Sequence, residues 1–213
     1  MKKLIALLSL ALPLTLASVP ALALDPGIDY LAVSPAQRTD VSKQQVEVLE
    51  FFWYRCPHCF HLEPELNTWA KKLPKNVVLR RVPGILSEGW IPLAKAYYAL
   101  DALGLTEKLH DDAFEAIHTQ GIDLNNPAVF FDWAAAKGVD KRKLESAYNS
   151  FGVNSKVMQA QQMTKAYKLT GVPAFAVNGK YTTSAYLTGS NAKTFEVLDG
   201  LIAQESKSKS GKR

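Results

Sequence analysis

The sequence predicts an α/β protein with one mixed central sheet that is interrupted along the chain by an all-helical insertion. Three observations predict this class. A strand, a helix and a second strand follow one another over residues 46–82, a hairpin pattern occupies residues 174–183, and residues 87–168 between them show helical but no strand periodicity. Of the 213 residues, 47% are hydrophobic, which is enough for a sizeable core without support from disulfides or metals.

The first 23 residues have the three parts of a secretory signal peptide. Two lysines precede an apolar run over residues 4–17, and small residues follow at a cleavage site after Ala23. A retained membrane anchor is the alternative, but two prolines interrupt a run that is short for a bilayer. We therefore expect export of the chain, with the bacterial periplasm as its destination, and a soluble mature protein over residues 24–213.

The net charge of +5 does not indicate a nucleic-acid-binding protein. Two basic residues lie in the signal peptide and four follow Glu205, so the rest of the chain carries a charge of about −1. A nucleic-acid-binding protein would concentrate positive charge on its folded surface. We expect no nucleic-acid partner, and a disordered basic tail over residues 206–213.

The sheet is predicted from two parallel strands and a hairpin. Val46–Trp53 is β-branched and aromatic with apolar residues on both faces, which is typical of a strand buried in the middle of a sheet. A helix with apolar residues at helical spacing ends near Pro74, and Val77–Val82 forms the next strand, so the unit predicts a right-handed parallel crossover. A short edge strand is expected near Tyr30–Val33.

The remaining elements follow from breaks in the apolar pattern. Ala174–Val177 and Lys180–Thr183 flank Asn178-Gly179, a strong signal for a two-residue hairpin turn. Helices are predicted over Ile91–Leu103, Thr106–His118, Pro127–Lys137, Lys141–Tyr148, Val153–Lys168 and Ala192–Gln204. The sheet domain is thus divided into residues 24–86 and 169–205, with the helical insertion over residues 87–168.

The only two cysteines lie in Cys56-Pro57-His58-Cys59. A disulfide stabilises mainly by closing a long loop in the unfolded chain, and a bridge between residues three apart closes almost none. The pair therefore indicates disulfide exchange and not a structural crosslink.

The position of this motif between a strand and a helix favours one sulfur as the nucleophile. Unpaired N–H groups and partial positive charge at the helix start should stabilise a thiolate on Cys56 and lower its pKa. Pro57 suits the first helical position, and His58 can donate a hydrogen bond or a positive charge toward the Cys56 sulfur. Cys59, one turn further, would resolve a mixed disulfide, and a stable thiolate makes the disulfide form an oxidant.

A zinc site built from the motif and His61 is the competing interpretation. Structural zinc sites normally take a second ligand pair from a distant loop, and the sequence offers no such pair, so we expect no metal. His110 and His118 fall on predicted helices of the insertion and are interpreted as surface or packing residues.

Four short motifs can be compared with known families: Glu50-Phe51-Phe52, Cys56-Pro57-His58-Cys59, Gly171-Val172-Pro173 and Asn178-Gly179-Lys180-Tyr181. Together they resemble the DsbA family of periplasmic disulfide oxidases, and the resemblance extends over most of the mature chain. The resemblance implies a thioredoxin fold and donation of the Cys56–Cys59 disulfide to folding secreted proteins that have free cysteines. It further implies reoxidation by a quinone-linked membrane protein of the DsbB type. We expect a monomer and no cofactor beyond that disulfide.

The resemblance also assigns roles to three residues outside the motif. Pro173 would follow a cis bond and face the dithiol, so that Val172 can pair with a substrate strand, whereas an ordinary strand-edge proline is the alternative. Glu50 would be a buried acid that carries protons to and from Cys59, and a salt-bridged or solvent-facing strand residue is its alternative. The chain departs from the family pattern at Trp53-Tyr54-Arg55, where Arg55 places a cation beside Cys56.

Two other functions remain compatible with the residues. A reductase or isomerase would use the same fold and motif, although an isomerase usually has a dimerisation domain that the segment before Glu47 is too short to form. A chaperone that binds extended peptides without redox turnover is the second.

Overall fold

The structure is a computed structural model and describes residues 24–210, so the predicted signal peptide and the last three residues lie outside the described part. Five strands form one mixed sheet in the order β1-β5-β4-β2-β3. The strands are β1 (Leu31–Ala32), β2 (Val46–Phe52), β3 (Val77–Pro83), β4 (Ala174–Val177) and β5 (Tyr181–Thr183).

Within residues 24–210 the helices are α1 (Pro57–Ala70), α2 (Ile91–Ala102), α3 (Thr106–His118), α4 (Pro127–Ala136), α5 (Lys141–Tyr148), α6 (Phe151–Ala166), α7 (Ala185–Thr188) and α8 (Asn191–Ser210). One turn of 3₁₀-helix, Glu88–Trp90, precedes α2. Helices α2 to α6 lie between β3 and β4 in the chain, which confirms the predicted mixed sheet with a helical insertion.

The pairing of β2 explains why the site lies at its carboxyl end. β2 pairs in parallel with β3 and antiparallel with β4, and all seven of its residues are buried. The chain leaves β2 at Phe52 and enters α1 at Pro57, so the cysteine motif lies between the central strand and a helix that packs on it.

Two groups of buried side chains stabilise the two faces of the sheet. One joins Val46 and Val48 of β2 to apolar residues of α1 and α8. The other joins Leu49 and Phe51 to the insertion, so the sheet and the helical insertion share one continuous core. Because this second core also contains Cys56 and Cys59, the insertion helps to form the surroundings of the motif.

The hairpin between β4 and β5 has the predicted turn. Asn178 and Gly179 both have positive φ angles, 50° and 72°. A Cβ atom on Gly179 would lie 2.1 Å from the carbonyl oxygen of Gln37, so only glycine fits this position.

The predicted tail is wrong for residues 206–210, because α8 continues to Ser210. Contacts with the sheet domain extend the helix. Glu205 is buried and accepts hydrogen bonds from Asn178 Nδ2 (2.6 Å) and Lys180 Nζ (2.7 Å), while Lys209 contacts the carbonyl of Gln45. The segment's polar composition did not reveal these partners.

Two other boundaries differ from the predictions. α6 begins two residues earlier than predicted, because Ser150 caps it by accepting a hydrogen bond from the N–H of Val153 (3.1 Å). The short α7 was not predicted, since four residues are too few to show helical periodicity. Over residues 24–210 no helix combines the length and the apolar character needed to cross a membrane.

Candidate active site

Cys56 occupies the N-cap of α1, at the helix start where the sequence places it. Its backbone is extended (φ −83°, ψ 113°), and its sulfur accepts a hydrogen bond from the N–H of Cys59 at 3.3 Å. Pro57 takes the first helical position. Both cysteines are free thiols, and Cys56 is 7% exposed whereas Cys59 is fully buried. An incoming thiol would therefore meet Cys56 first.

The two sulfurs have opposite pKa shifts. The hydrogen bond from the Cys59 thiol, together with the backbone N–H groups of Cys59 and His58, lowers the pKa of Cys56 to about 7 against the effect of burial. Burial raises the pKa of Cys59 well above its ordinary value. The reduced pair is thus arranged as a thiolate on Cys56 and a thiol on Cys59.

The contribution of His58 differs from the predicted side-chain contact. Its backbone N–H lies near the Cys56 sulfur, whereas its imidazole is exposed and makes no hydrogen bond to Cys56 among the described residues. The helix start itself, more than the histidine ring, therefore favours the thiolate in this structure.

Val172 and Pro173 face the reactive cysteine. The peptide bond between them is cis, and the protonated form of Cys56 donates from its thiol to the carbonyl oxygen of Val172 at 3.4 Å. Gly84 lies against Val172 so closely that a Cβ atom there would be 2.8 Å from the valine Cγ1. The loop before β4 is thus fixed beside Cys56, as the resemblance implies.

A groove of about 1020 Å³ begins beside the motif. Its lining includes His58 and His61, the loop with Val172 and Pro173, and residues of β1 and α7. Leu31 and Tyr186 in this lining are 50% and 98% exposed, so the groove offers apolar surface to a ligand.

Glu50 is fully buried in β2 beneath the motif. Burial, followed by the negative charge of Glu63, raises its pKa to about 8, and Arg81 opposes the shift. Arg81 Nε lies 3.1 Å from Glu50 Oε2, yet neither carboxyl oxygen has a hydrogen-bond partner among the described residues. Glu50 is therefore a buried carboxyl group beside Arg81, and its raised pKa allows it to hold a proton at neutral pH.

The sequence analysis missed a buried polar network that extends from Glu50. Arg81 Nη2 donates to Glu63 Oε2 (2.8 Å), and Glu63 Oε1 accepts from Nε2 of His110 (3.3 Å). With that proton on Nε2, Nδ1 of His110 accepts from the hydroxyl of Tyr54 at 2.9 Å. His110 is thus a buried polar link, although its packing role among aromatic rings agrees with the prediction.

Signals for part of this network are present in the sequence. Glu63 lies four residues after Cys59 on α1, so both belong to the buried side of that helix. Arg81 pairs in register with Glu50 across the parallel strands. The contact of His110 with α1, in contrast, depends on how the insertion packs, which local patterns do not specify.

Aromatic side chains pack around the segment that precedes Cys56. Trp53 stacks on Trp90 with ring centroids 4.1 Å apart and planes within 1° of parallel. His118 donates from Nε2 to the carbonyl of Tyr54 at 2.8 Å and stacks on Phe60. His118 is therefore a packing residue that also anchors the turn leading into the motif.

Comparison with known proteins agrees with this geometry. The family model of the DSBA-like thioredoxin domain matches residues 76–202. The thiol:disulfide interchange protein DsbA of Burkholderia cepacia is 41% identical over 206 residues, which are 96% of this chain and 97% of that protein. The chain belongs to the DsbA family. The DsbA of Bordetella pertussis is 40% identical, over 92% of this chain and 94% of its own.

Solved structures support the same assignment to the DsbA family. The crystal structure of Pseudomonas aeruginosa DsbA matches with a TM-score of 0.81 and 35% identity, over 85% of this chain and 94% of that one. The thioredoxin-like fold with a helical insertion is confirmed. The predicted enzyme class is also confirmed, and the chain is a thiol:disulfide oxidoreductase.

Proposed function

We propose that this DsbA-family protein donates its Cys56–Cys59 disulfide to exported proteins that fold in the periplasm. The observation that carries the proposal is the split between the two sulfurs, with the pKa of Cys56 lowered to about 7 and that of the buried Cys59 raised. A thiolate stabilised at the helix start makes the reduced protein the favoured state, so the disulfide form tends to accept electrons.

The exchange follows from these positions. A substrate thiolate attacks Cys56 Sγ, the Cys56–Cys59 bond breaks, and the electron pair goes to Cys59. The second substrate thiolate then attacks the substrate sulfur of the mixed disulfide and releases the Cys56 thiolate. The substrate dithiol is oxidised by two electrons, and the enzyme disulfide is reduced.

Glu50 supplies the proton for the first of these steps. The leaving Cys59 sulfur is buried and has a raised pKa, so it needs a proton when the bond breaks. Glu50, with a pKa of about 8, holds one at neutral pH. When Glu50 is ionised, its negative charge adds to the effect of burial on the pKa of Cys59, which supports the proximity of the two groups. His58 and Pro57 complete the site by shaping the helix start.

Substrate docking is assigned to the loop before β4. Val172 lies beside Cys56, where an extended substrate segment can pair with its backbone while side chains enter the adjoining groove. We further propose a monomer without a metal or a separate cofactor, cleavage after Ala23, and reoxidation by a quinone-linked membrane protein of the DsbB type.

Two measurements test the proposal. Oxidised protein should restore activity to a reduced, unfolded secreted enzyme, and Cys56→Ser should not, whereas rescue by that variant would support a peptide-binding chaperone. Thermal melts should show a higher midpoint for the reduced form than for the disulfide form. A higher midpoint for the disulfide form would support a reductase instead.

A further inference from the structure

The described residues that line the groove beside the dithiol include basic side chains but no acidic ones. Among the described residues that line it there is no aspartate or glutamate, and Lys168 is its one permanently charged side chain. The other ionisable groups in the lining that can carry positive charge are His58 and His61. Two exposed acids on neighbouring elements, Glu65 and Glu88, do not belong to the lining.

A second cation adjoins the reactive cysteine in the chain. Arg55 directly precedes Cys56 and is exposed, and it forms no ion pair within residues 24–210. Two other arginines of this domain are engaged, since Arg80 pairs with Glu47 and Arg81 with Glu63. The charge of Arg55 is therefore available to a ligand at Cys56.

The backbone at Lys168 strengthens the case for a function of its side chain. Lys168 follows α6 with φ 53°, in the left-handed region that glycine and asparagine occupy more readily than lysine. Hydrogen bonds from its own N–H to Lys165 (3.0 Å) and from Leu169 to Thr164 (3.1 Å) hold this conformation. A lysine here adds a charge to the groove at a position where glycine would fit better.

We propose that this groove selects substrate segments that carry an acidic residue near the reacting cysteine, together with apolar residues, and disfavours basic segments. The inference rests on the proposed function, in which the groove docks the substrate of Cys56. Leu31 and Tyr186 give the apolar side chains a surface, and Lys168 lines the same groove with a positive charge. The exposed Arg55 adds a second positive charge next to Cys56 in the chain. Charge complementarity of this kind acts mainly on association and on the choice of partner.

The expected discrimination is moderate, because both cations are solvated. One unit-charge pair at about 4 Å in water changes a rate by about fivefold. The effect should weaken with added salt, since the screening length falls to about 3 Å at 1 M.

The test uses three dithiol peptides that share an apolar sequence and differ at one position beside the first cysteine, which is glutamate, glutamine or lysine. The rate constant for their oxidation by the disulfide form is measured by stopped flow at low and high salt. We expect the glutamate peptide to react about fivefold faster than the glutamine peptide at low salt, and the lysine peptide about fivefold more slowly than it. The ratio of the glutamate rate to the lysine rate is then about 25 at low salt and should fall close to one at high salt.

Arg55→Gln and Lys168→Gly should each reduce this rate ratio, and the double variant should bring it close to one. Any change that Arg55→Gln causes in the Cys56 thiol multiplies all three rates equally, so the ratio isolates docking. Lys168→Gly should melt no earlier than the wild type, because glycine suits the backbone. Lys143→Gln, an exposed lysine on α5 outside the groove, is the matched control and should leave the ratio unchanged.

Equal rates for the glutamate and lysine peptides at low salt would overturn charge selection and leave the proposed function standing, since all three peptides would still be oxidised. A ratio that persists in the double variant would also overturn it. If no peptide reacts faster than in the absence of the enzyme, both the proposed function and the inference fail.

Discussion

Replacing Glu50 with glutamine is expected to stabilise the reduced protein at neutral pH. In the unfolded chain this carboxyl group loses its proton near pH 4.5, whereas burial in the folded protein raises its pKa to about 8. Between these values the folded state binds more protons than the unfolded state. The free energy of unfolding therefore falls as the pH rises through this window, and Glu50 lowers stability at pH 7.

The size of the effect follows from the shift. As the pH rises from the ordinary pKa of 4.5 to 7, the free energy of unfolding falls by about 1.4 kcal/mol for each pH unit. Glu50 therefore lowers the stability at pH 7 by at most about 3 kcal/mol. Glutamine does not ionise and so removes this loss of stability, but it leaves a buried amide without hydrogen-bond partners, which costs about 1–2 kcal/mol. We expect a net gain of about 1–2 kcal/mol at pH 7 and a flatter pH profile.

Urea unfolding of the reduced protein between about pH 5 and about pH 8 measures both the stability at pH 7 and its dependence on pH. Glu63→Gln is the matched control, because burial works against ionisation of Glu63 but the hydrogen bond from His110 and the charge of Arg81 outweigh it and lower its pKa. This control should lose stability at pH 7, since Arg81 and His110 lose their anionic partner.

Two results would refute the reasoning about Glu50. One is a Glu50→Gln variant less stable than the wild type at pH 7, and the other is an unchanged fall of stability between about pH 5 and about pH 8. If Glu50 also carries the proton for Cys59, a substrate dithiol should reduce the Cys56–Cys59 disulfide of the same variant at least about 10-fold more slowly than that of the wild type.

Three further substitutions test other parts of the structure. Cys59→Ser should accumulate a mixed disulfide when it is mixed with a disulfide-bonded substrate, because the free Cys56 thiolate attacks that disulfide, one substrate thiolate leaves, and no Cys59 thiol is present to resolve the adduct. Mass spectrometry detects this adduct, and its absence would contradict the assignment of Cys56 as the sulfur that exchanges with the substrate. His110→Leu should destabilise the protein by about 2–3 kcal/mol in urea, because the hydrogen bond to Glu63 is lost, and a neutral result would show that the bond is dispensable. Gly179→Ala should cost more than about 2 kcal/mol, since a Cβ atom would lie 2.1 Å from a carbonyl oxygen, and a stable variant would mean that the turn can rearrange.

The sequence predicted the fold well where periodic patterns are local. The spacing of apolar residues located β2 and the insertion helices to within a few residues, and Asn178-Gly179 located the hairpin turn. Predictions failed where a long-range contact decided the structure. α8 extends beyond Glu205 because that residue is buried against Asn178 and Lys180, and nothing in the composition of the tail indicates these partners.

In the candidate site, too, local patterns predicted some features and missed those that depend on tertiary packing. The helix start at Cys56 and the pairing of its sulfur with the Cys59 N–H follow from the order of strand, proline and helix. The position of Val172 came from resemblance to the family, since a single proline does not reveal what its loop faces. Glu63 and His110 were missed because their link connects α1 with the insertion, and only the tertiary packing brings those two elements together.

The redox potential of the Cys56–Cys59 pair tests the central claim most directly. It is obtained by equilibrating the protein with glutathione buffers and quantifying the reduced fraction from trapped thiols. A disulfide donor with a stabilised Cys56 thiolate should be more oxidising than glutathione, with a potential above about −200 mV. A potential near that of thioredoxin, about −270 mV, would contradict the account and identify the protein as a reductant.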